Sequence, residues 1–178
     1  MRIITGKFRG KTIRPLHNFS ARPTTDKAKE SLFNIIHSYY NFEELRVLDL
    51  FAGTGNISFE FASRGAVEVI AVEINYRNYC FIKKTAEEMK FDVLKPVKAD
   101  VFKFLKYCKS SFDIVFADQP YDMPGIYLIP GLVFEYKLVK EGGWLIIEHS
   151  SKYDFNAYPN FIRKRNYGKV NFSFFESK

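Results

Sequence analysis

Short apolar runs alternate with helical segments through residues 46–149, and this alternation restricts the possible folds more than any other feature of the chain. The apolar runs have the length of strands: RVLDLF (46–51), EVIAVE (68–73), VLKPVKA (93–99), FDIVFAD (112–118) and GWLIIEH (143–149). The segments between them have helical character: NISFEFASRG, NYRNYCFIKKTAEEMK, VFKFLKYC and the region around GLVFEYKLVKEG. Strands and helices that alternate at this spacing predict an α/β fold, with helices covering both faces of a mostly parallel sheet.

Two features predict how this sheet is completed. Pro96 lies inside the third run, and because proline has no N–H to donate to a ladder, that strand should be an edge. The C-terminal segment FIRKRNYGKVNFSFFES contains two further β-like runs around an Asn166–Gly168 turn, which is typical of an antiparallel hairpin. We therefore expect seven strands, most of them parallel, with the hairpin added to the parallel set.

Length and composition indicate a single globular unit. A chain of 178 residues favours one domain, residues 1–178, with a small N-terminal extension. No apolar run approaches the roughly 20 residues of a membrane helix, and MRIITGKFRG has no apolar signal region. Cys80 and Cys108 form no CxxC pair, and no histidine–cysteine cluster has metal-ligand spacing. We expect a cytoplasmic monomer with reduced, buried thiols, no metal site and no membrane contact.

The net charge of +7 is distributed unevenly along the chain. Residues 1–30 contain eight Lys or Arg against two acids, and residues 152–178 contain six against two. Residues 31–151 instead carry 13 basic and 16 acidic residues. Basic ends around an acidic middle are consistent with terminal segments that bind a polyanion. They are equally consistent with basic termini that only keep the protein soluble.

The N-terminal region reads as a hairpin followed by a helix. RIITGKFRGKTIR (2–14) contains two short β-rich runs around GKFRG, a turn with glycine at both ends. Pro23 and the Thr24–Asp26 cluster form a helix start signal. Apolar residues then recur at helical spacing: Ala28, Leu32, Ile35, Ile36 and Tyr39. This pattern predicts an amphipathic helix with Lys27, Lys29 and Glu30 exposed near its start.

LDLFAGTGNI (48–57) is the first candidate binding segment, because it joins the first strand to a helix. Gly53 and Gly55 permit a tight turn, and the helix N-terminus presents free N–H groups. Ser58 occupies the third glycine place of a dinucleotide fingerprint, and an acid at Asp49 suits an ammonium better than a pyrophosphate. Each of these signals alone is also typical of an ordinary strand–helix turn.

Two more acids follow successive strands, where open α/β sheets bind ligands. Glu73 ends the second strand and is placed to accept ribose hydroxyls, and Asp100 after the third is placed to reach the rim of an adenine. An acid at a strand end can also simply cap the next helix. The combination with Asp49 favours a nucleoside that carries a charged amino-acid tail, and S-adenosylmethionine (SAM) has this chemistry.

VFADQPYDMP (115–124) places Asp118, Gln119, Pro120 and Tyr121 at the end of the fourth strand. An ordinary Asp/Pro turn would explain this stretch if it stood alone. LDLFAGTG, VEIN, AD and DQPY, however, resemble in order and spacing the motifs of class I SAM-dependent methyltransferases. DQPY resembles the (D/N)PPY signature of enzymes that methylate exocyclic amino groups.

RIITGKFRGKTI followed by RPTTDKAKESLFNI resembles the N-terminal region of the RsmD family, and the resemblance covers nearly the whole chain. It implies a Rossmann-like fold and transfer of a methyl group from SAM to the N2 amino group of a guanine in 16S ribosomal RNA, position 966 in the usual numbering. The partner would be 16S rRNA or an assembling small subunit. The resemblance implies these cofactor-binding residues: Asp49, Phe51, Ala52, Gly53, Thr54, Gly55, Asn56, Glu73, Ile74, Asp100 and Val101.

The resemblance also assigns catalytic roles. The Asp118 carboxylate and the backbone carbonyl of Gln119 would hold the amino protons, Pro120 would fix the turn, and Tyr121 would stack on the extruded base. Gln119 departs from the family pattern, which has proline there. A less preorganised loop, and a catalytically weak rRNA-binding relative, are therefore expected alternatives. Methylation of another nucleic acid, such as DNA adenine, is another, although the chain lacks a sizeable target-recognition domain.

Residues 1–40 would form a basic RNA-contacting extension. The residues expected to bind RNA are Lys7, Arg9, Lys11, Arg22, Thr24, Lys27 and Lys29. Arg163, Lys164 and Arg165 fit either this surface or a solvated strand face. His149 follows Glu148 at the end of the fifth strand, and a lone histidine there is more often structural than catalytic.

Overall fold

A computed structural model describes residues 1–15, 25–120 and 123–178 of the chain. The helices are α1 (Asp26–His37), α2 (Asn56–Ser63), α3 (Tyr76–Glu88), α4 (Val101–Tyr107) and α5 (Leu128–Glu135), with a 3-10 turn at Phe42–Glu44. The strands are β1 (Arg46–Leu50), β2 (Glu68–Glu73), β3 (Leu94–Lys98), β4 (Phe112–Asp118), β5 (Val139–His149), β6 (Phe161–Tyr167) and β7 (Val170–Glu176).

The seven strands form one sheet in the order β3-β2-β1-β4-β5-β7-β6. β1 to β5 are parallel to one another, and β7 runs antiparallel to both β5 and β6. β3 lies at one edge with Pro96 inside it, and β6 and β7 form a hairpin that turns at Gly168, φ +68°. The predicted edge strand and C-terminal hairpin are therefore confirmed.

Two apolar cores lie on the opposite faces of this sheet. Alternate strand residues point to opposite sides, so Ile114 and Phe116 of β4 pack in one core while Val115 and Ala117 pack in the other. The first core contains the buried faces of α1, α2 and α3, and the second contains those of α4 and α5. This is the three-layer arrangement that the strand–helix alternation predicts.

The N-terminal hairpin is shorter than the sequence predicts. Met1 and Ile13 exchange backbone hydrogen bonds of 3.0 and 2.9 Å, but Arg2–Thr12 is the single β-bridge in the described part of this segment. The turn between the two arms bonds to α2 instead, where Lys7 N donates to Ser63 O at 2.7 Å. Ile3 N still donates across the hairpin to Lys11 O at 3.0 Å, but Lys11 N donates to Phe8 O at 3.0 Å and Ile3 O accepts from Gly10 N at 2.8 Å, so a regular ladder does not extend.

Two smaller features complete the description. Cys80 and Cys108 are unpaired, as predicted, but both thiols are half-buried rather than buried. Within the described part of the chain, every helix is too short or too polar to cross a bilayer.

Candidate active site

The predicted site lies where three neighbouring strands end. β2, β1 and β4 are adjacent and parallel, so Glu73, the segment after Leu50 and Asp118 meet at one edge of the sheet. β5 adds Glu148, which is in register with Asp118. Strand order reverses between β1 and β4, and open α/β sheets bind ligands outside the carboxyl ends at this position.

The loop between β1 and α2 has an unusual backbone. Phe51 (φ +62°), Gly53 (φ +57°) and Gly55 (φ +81°) all lie in the left-handed region. At Gly55 a β-carbon would lie 2.8 Å from the ring of Phe59, so only glycine fits there. The loop is also tied to β2, because Ala52 N donates to Val72 O at 2.9 Å. These restraints hold the N-terminus of α2 open toward the strand ends.

Glu73 supports this loop from the end of β2. One carboxylate oxygen accepts a hydrogen bond from Gly53 N at 2.7 Å, and the other accepts one from Asn75 N at 2.7 Å. A carboxylate can accept about four hydrogen bonds, so two positions stay available for hydroxyl groups. Ile74 follows immediately and is 62% exposed, which leaves an open apolar side chain beside the carboxylate.

Asp49 is buried inside the site, and Ser58 Oγ donates a short hydrogen bond to it. Burial raises the pKa of Asp49 to about 7, the bonds from Ser58 oppose this rise, and the charge of Glu73 adds to it. A cationic ligand group would relieve this cost. In the sequence, Ser58 stood out only as the residue at the third glycine place of a dinucleotide fingerprint. Its role as a hydrogen-bond donor to Asp49 becomes visible in the structure, where α2 turns its side chain toward β1.

Asp100 and Val101 lie beside Glu73 in the strand order. Asp100 caps α4 by accepting from Lys103 N at 2.9 Å, and Ala99 N donates to Glu73 O at 3.2 Å. Phe102 packs edge-on against Phe51 with ring centroids 6.4 Å apart. The helix cap that the sequence offered as an alternative role for Asp100 is therefore present.

Asp118 stands in a cluster of acids. The side chain of Asp118 is partly exposed at its surface. The protein packed around its carboxyl group nevertheless excludes most of the water, and this desolvation raises the pKa of Asp118 well above the ordinary value. The charges of Glu148 and Asp49 raise it further. Sequence reasoning did not connect Glu148 with Asp118, because only the β4–β5 register brings them together.

Gln119 is buried and braces the loop that follows β4. Its Nε2 group donates to Met123 O at 2.5 Å and to Pro124 O at 3.1 Å, while Met123 N donates to Pro120 O at 2.9 Å. Glutamine was expected to loosen this loop by freeing φ, but its side chain supplies two new restraints. Tyr121 lies outside the described residues.

The predicted RNA-binding residues separate into three groups. Lys7, Arg9, Lys11 and Lys27 are exposed, and the ammonium groups of Lys7 and Lys11 each lie 5.5 Å from the centre of the Phe8 ring. Arg22 and Thr24 lie outside the described residues. Lys29 is 1% exposed, so the prediction that it is exposed and contacts RNA is wrong.

The reason for the error at Lys29 is helical geometry. Lys29, Phe33 and Ile36 are spaced on one face of α1, and that face packs into the core. Lys29 therefore points inward, where its ammonium lies 3.4 Å from the Glu60 carboxylate. The helical periodicity of α1 places residue 29 on the buried face. The prediction of an exposed side chain followed instead from the positive charge of lysine.

The C-terminal candidates have structural surroundings. His149 is buried, with Nδ1 2.8 Å from Ser150 O and Nε2 2.8 Å from Ser173 Oγ, and burial lowers its pKa. Arg163 stacks on the rings of Tyr39 and Trp144, with its guanidinium carbon 4.7 and 4.9 Å from their centres. Only Lys164 and Arg165 of that basic run are exposed.

Comparison with known proteins gives the family. A family model described as "Conserved hypothetical protein 95" matches residues 1–176. A putative rRNA methyltransferase of Bacillus subtilis is 29% identical over all of both chains. Ribosomal RNA small subunit methyltransferase D (RsmD) of Escherichia coli is 30% identical over 83% of this chain and 71% of its own length. The chain belongs to the RsmD family.

The fold of this RsmD-family protein agrees with that of a solved relative. A putative methyltransferase from Escherichia coli superposes with a TM-score of 0.88 at 22% identity, covering 100% of this chain and 98% of the other. The predicted family and the class I methyltransferase fold are thereby confirmed. Family and fold together make this chain an enzyme of the SAM-dependent methyltransferase class.

Proposed function

We propose that this RsmD-family protein transfers a methyl group from SAM to the exocyclic N2 amino group of a guanine in 16S rRNA, at a position equivalent to guanine 966. It acts in the cytoplasm as a monomer, on an assembling small subunit. The observation that carries the proposal is the convergence of Asp49, Glu73 and Asp118 beside a left-handed loop at one edge of the sheet.

The donor set of this edge fits SAM. The buried Asp49, whose pKa is raised by burial, suits a ligand ammonium group, and the N–H groups at the start of α2 suit a carboxylate. Glu73 has acceptor capacity for ribose hydroxyls, and Ile74 provides an exposed apolar surface for an adenine whose rim reaches Asp100. The side chain of Val101 is buried, so Val101 would contribute its backbone at the start of α4. Phe51, Ala52, Gly53, Thr54, Gly55 and Asn56 form the rest of this surface. SAM supplies an activated methyl group on a sulfonium.

The DQPY segment prepares the acceptor nitrogen. An exocyclic amino group is a weak nucleophile because its lone pair is delocalised into the base. The Asp118 carboxylate and the Gln119 backbone carbonyl accept hydrogen bonds from its two N–H groups and turn the lone pair toward the methyl donor. Pro120 and the Gln119 braces keep these acceptors in place, and Tyr121 stacks on the base. The N–C bond would form as the methyl–sulfur bond breaks to leave a neutral thioether, and the methylated nitrogen would then release one of its own protons to the Asp118 carboxylate or to water.

The basic N-terminal region, residues 1–40, holds the RNA. Lys7, Arg9, Lys11 and Lys27 have exposed side chains that bind phosphates. Arg22 and Thr24, which lie outside the described residues, are assigned the same role from the sequence alone. The target guanine must leave its stack to reach the strand ends.

The test is transfer of labelled methyl from SAM to small subunits purified from cells that lack this protein. We expect N2-methylguanosine after digestion of the 16S rRNA, and no label with the Asp118→Ala variant. Labelled N6-methyladenosine would contradict the guanine assignment. Measurable SAM binding without transfer to free rRNA or to subunits would contradict the substrate, and it would favour a catalytically weak relative.

A further inference from the structure

A buried charge cluster joins the N-terminal segment (residues 1–13) to helix α2. Glu60 of α2 is 0% exposed, and its carboxylate lies 2.9 Å from Arg64 Nε and 3.4 Å from Lys29 Nζ. The same carboxylate accepts hydrogen bonds from Ile4 N at 2.8 Å and Thr5 N at 3.0 Å. Glu60 thus fixes two consecutive backbone amides of the segment that also carries Lys7, Arg9 and Lys11.

Lys29 continues this network toward the cofactor loop. Its ammonium donates to Arg2 O at 2.6 Å and to Asn56 Oδ1 at 2.9 Å. Asn56 is the first residue of α2 and directly follows Gly53–Gly55. A weaker second link runs in parallel, since Thr54 Oγ1 lies 3.7 Å from Met1 Sδ.

The ammonium of Lys29 is fully used. It has three N–H donors and three polar neighbours: Arg2 O in the N-terminal segment, and Asn56 Oδ1 and Glu60 Oε2 one turn apart in α2. Burying an ammonium is costly, and burial lowers the pKa of Lys29. An apolar residue could pack at this place at lower cost, but it could not hold three polar groups in fixed relative positions.

We propose that Lys29 is a positioning residue of the cofactor loop, and that it couples SAM binding to the order of the N-terminal segment. The inference rests on the proposed function, because it takes the loop at 51–56 as the SAM site and residues 1–13 as RNA-binding. SAM that fixes the start of α2 also fixes Asn56, Lys29, Glu60 and the segment they hold. By thermodynamic reciprocity, RNA bound to that segment tightens SAM binding by the same factor.

The first test uses the unmodified protein and SAM alone. Calorimetry establishes that SAM binds, and hydrogen–deuterium exchange then compares the peptide spanning residues 2–8 with and without saturating SAM. We expect several-fold slower exchange at Ile4 and Thr5, and unchanged exchange in the β6–β7 turn at 167–170. Unchanged exchange in residues 2–8 despite SAM binding would overturn the coupling. Absence of SAM binding would instead overturn the proposed function.

The second test separates positioning from simple stability. Lys29→Met should weaken SAM binding about tenfold, the loss expected for one hydrogen bond to a charged group. Lys84→Met, an exposed lysine of α3, is the matched control and should stay within twofold. Asn56→Ala removes the link from the loop side, so the double variant should bind SAM no more weakly than the weaker single variant.

If the two single variants lose SAM affinity additively in the double variant, Lys29 and Asn56 act independently. That result would overturn the role of Lys29, which requires its effect on SAM binding to be transmitted by Asn56. If Lys29→Met fails to fold, Asn56→Ala alone decides by exchange. The protection of Ile4 and Thr5 by SAM should disappear in that variant, and protection equal to that of the unmodified protein would contradict the proposal.

Discussion

Two acids of this protein, Glu60 and Asp118, each lie in a cluster of charged side chains, and the two clusters have opposite surroundings. Glu60 faces the cations Lys29 and Arg64 and two backbone amides, so its charge is compensated within the chain. Asp118 instead faces the like charges of Glu148 and Asp49, and its pKa is raised. The first cluster is complete without a ligand and holds the N-terminal segment in place. In the second, Asp118 lies among like charges, and a cationic cofactor and an amino group bound there would reduce this repulsion.

Glu60→Gln should have the largest effect on stability. The variant leaves Lys29 and Arg64 buried without the negative charge of Glu60. Breaking a buried ion pair in this way costs about 3–5 kcal/mol of unfolding free energy. Urea denaturation measures the loss. Glu88→Gln, which removes an exposed i,i+4 pair with Lys84, is the control and should change stability by less than about 0.5 kcal/mol. Equal losses of unfolding free energy in the two variants would show that the buried Glu60 contributes no more to stability than the exposed Glu88.

Asp118→Ala should abolish most activity while sparing the fold. Removing a preorganised acceptor at the reacting nitrogen is expected to lower methyl transfer about 10²–10³-fold. Because the change also removes repulsion with Glu148 and Asp49, the melting temperature should stay the same or rise. Single-turnover methyl transfer and thermal unfolding test the two parts. Activity within threefold of the unmodified protein would contradict the catalytic role.

The pH dependence of stability should carry the signature of Asp49. Its folded pKa of about 7 lies above the ordinary value of 3.8, so its stabilising contribution is complete below pH 3.8 and is lost as pH rises toward 7. Between pH 5 and 7 the unmodified protein should lose about 2 kcal/mol relative to Asp49→Asn. Urea unfolding at several pH values measures this difference. Parallel pH profiles for the two proteins would contradict the raised pKa.

Lys27→Ala should have the smallest effect and tests the RNA surface. Lys27 is exposed on the helix that buries Lys29, so losing one phosphate contact should reduce the salt slope of RNA binding by about 1. The melting temperature should not change, since no buried group is affected. Lys84→Ala on α3 should leave the slope unaltered. A Lys27 variant with an unchanged slope would remove α1 from the RNA interface.

Much of the fold followed from the sequence alone. The boundaries of β2 and β4 coincide with their apolar runs, and Pro96 marked the edge because a missing N–H is a local property. The strand-end acids Asp49, Glu73 and Asp118 were identifiable for a similar reason. Parallel strands must bring their carboxyl ends to the same edge, whatever the packing around them.

The remaining features depend on contacts between distant parts of the chain, and only the tertiary structure decided them. Lys29 is an internal residue because α1 packs one face on α2 and the N-terminal segment, where Glu60 compensates its charge. Glu148 acts on Asp118 through strand register, and Gln119 braces its loop through side-chain bonds that a pattern of residue types does not contain. Local periodicity determines which helices and strands form. Whether a buried charged group lies beside an opposite or a like charge depends on which of these helices and strands pack together.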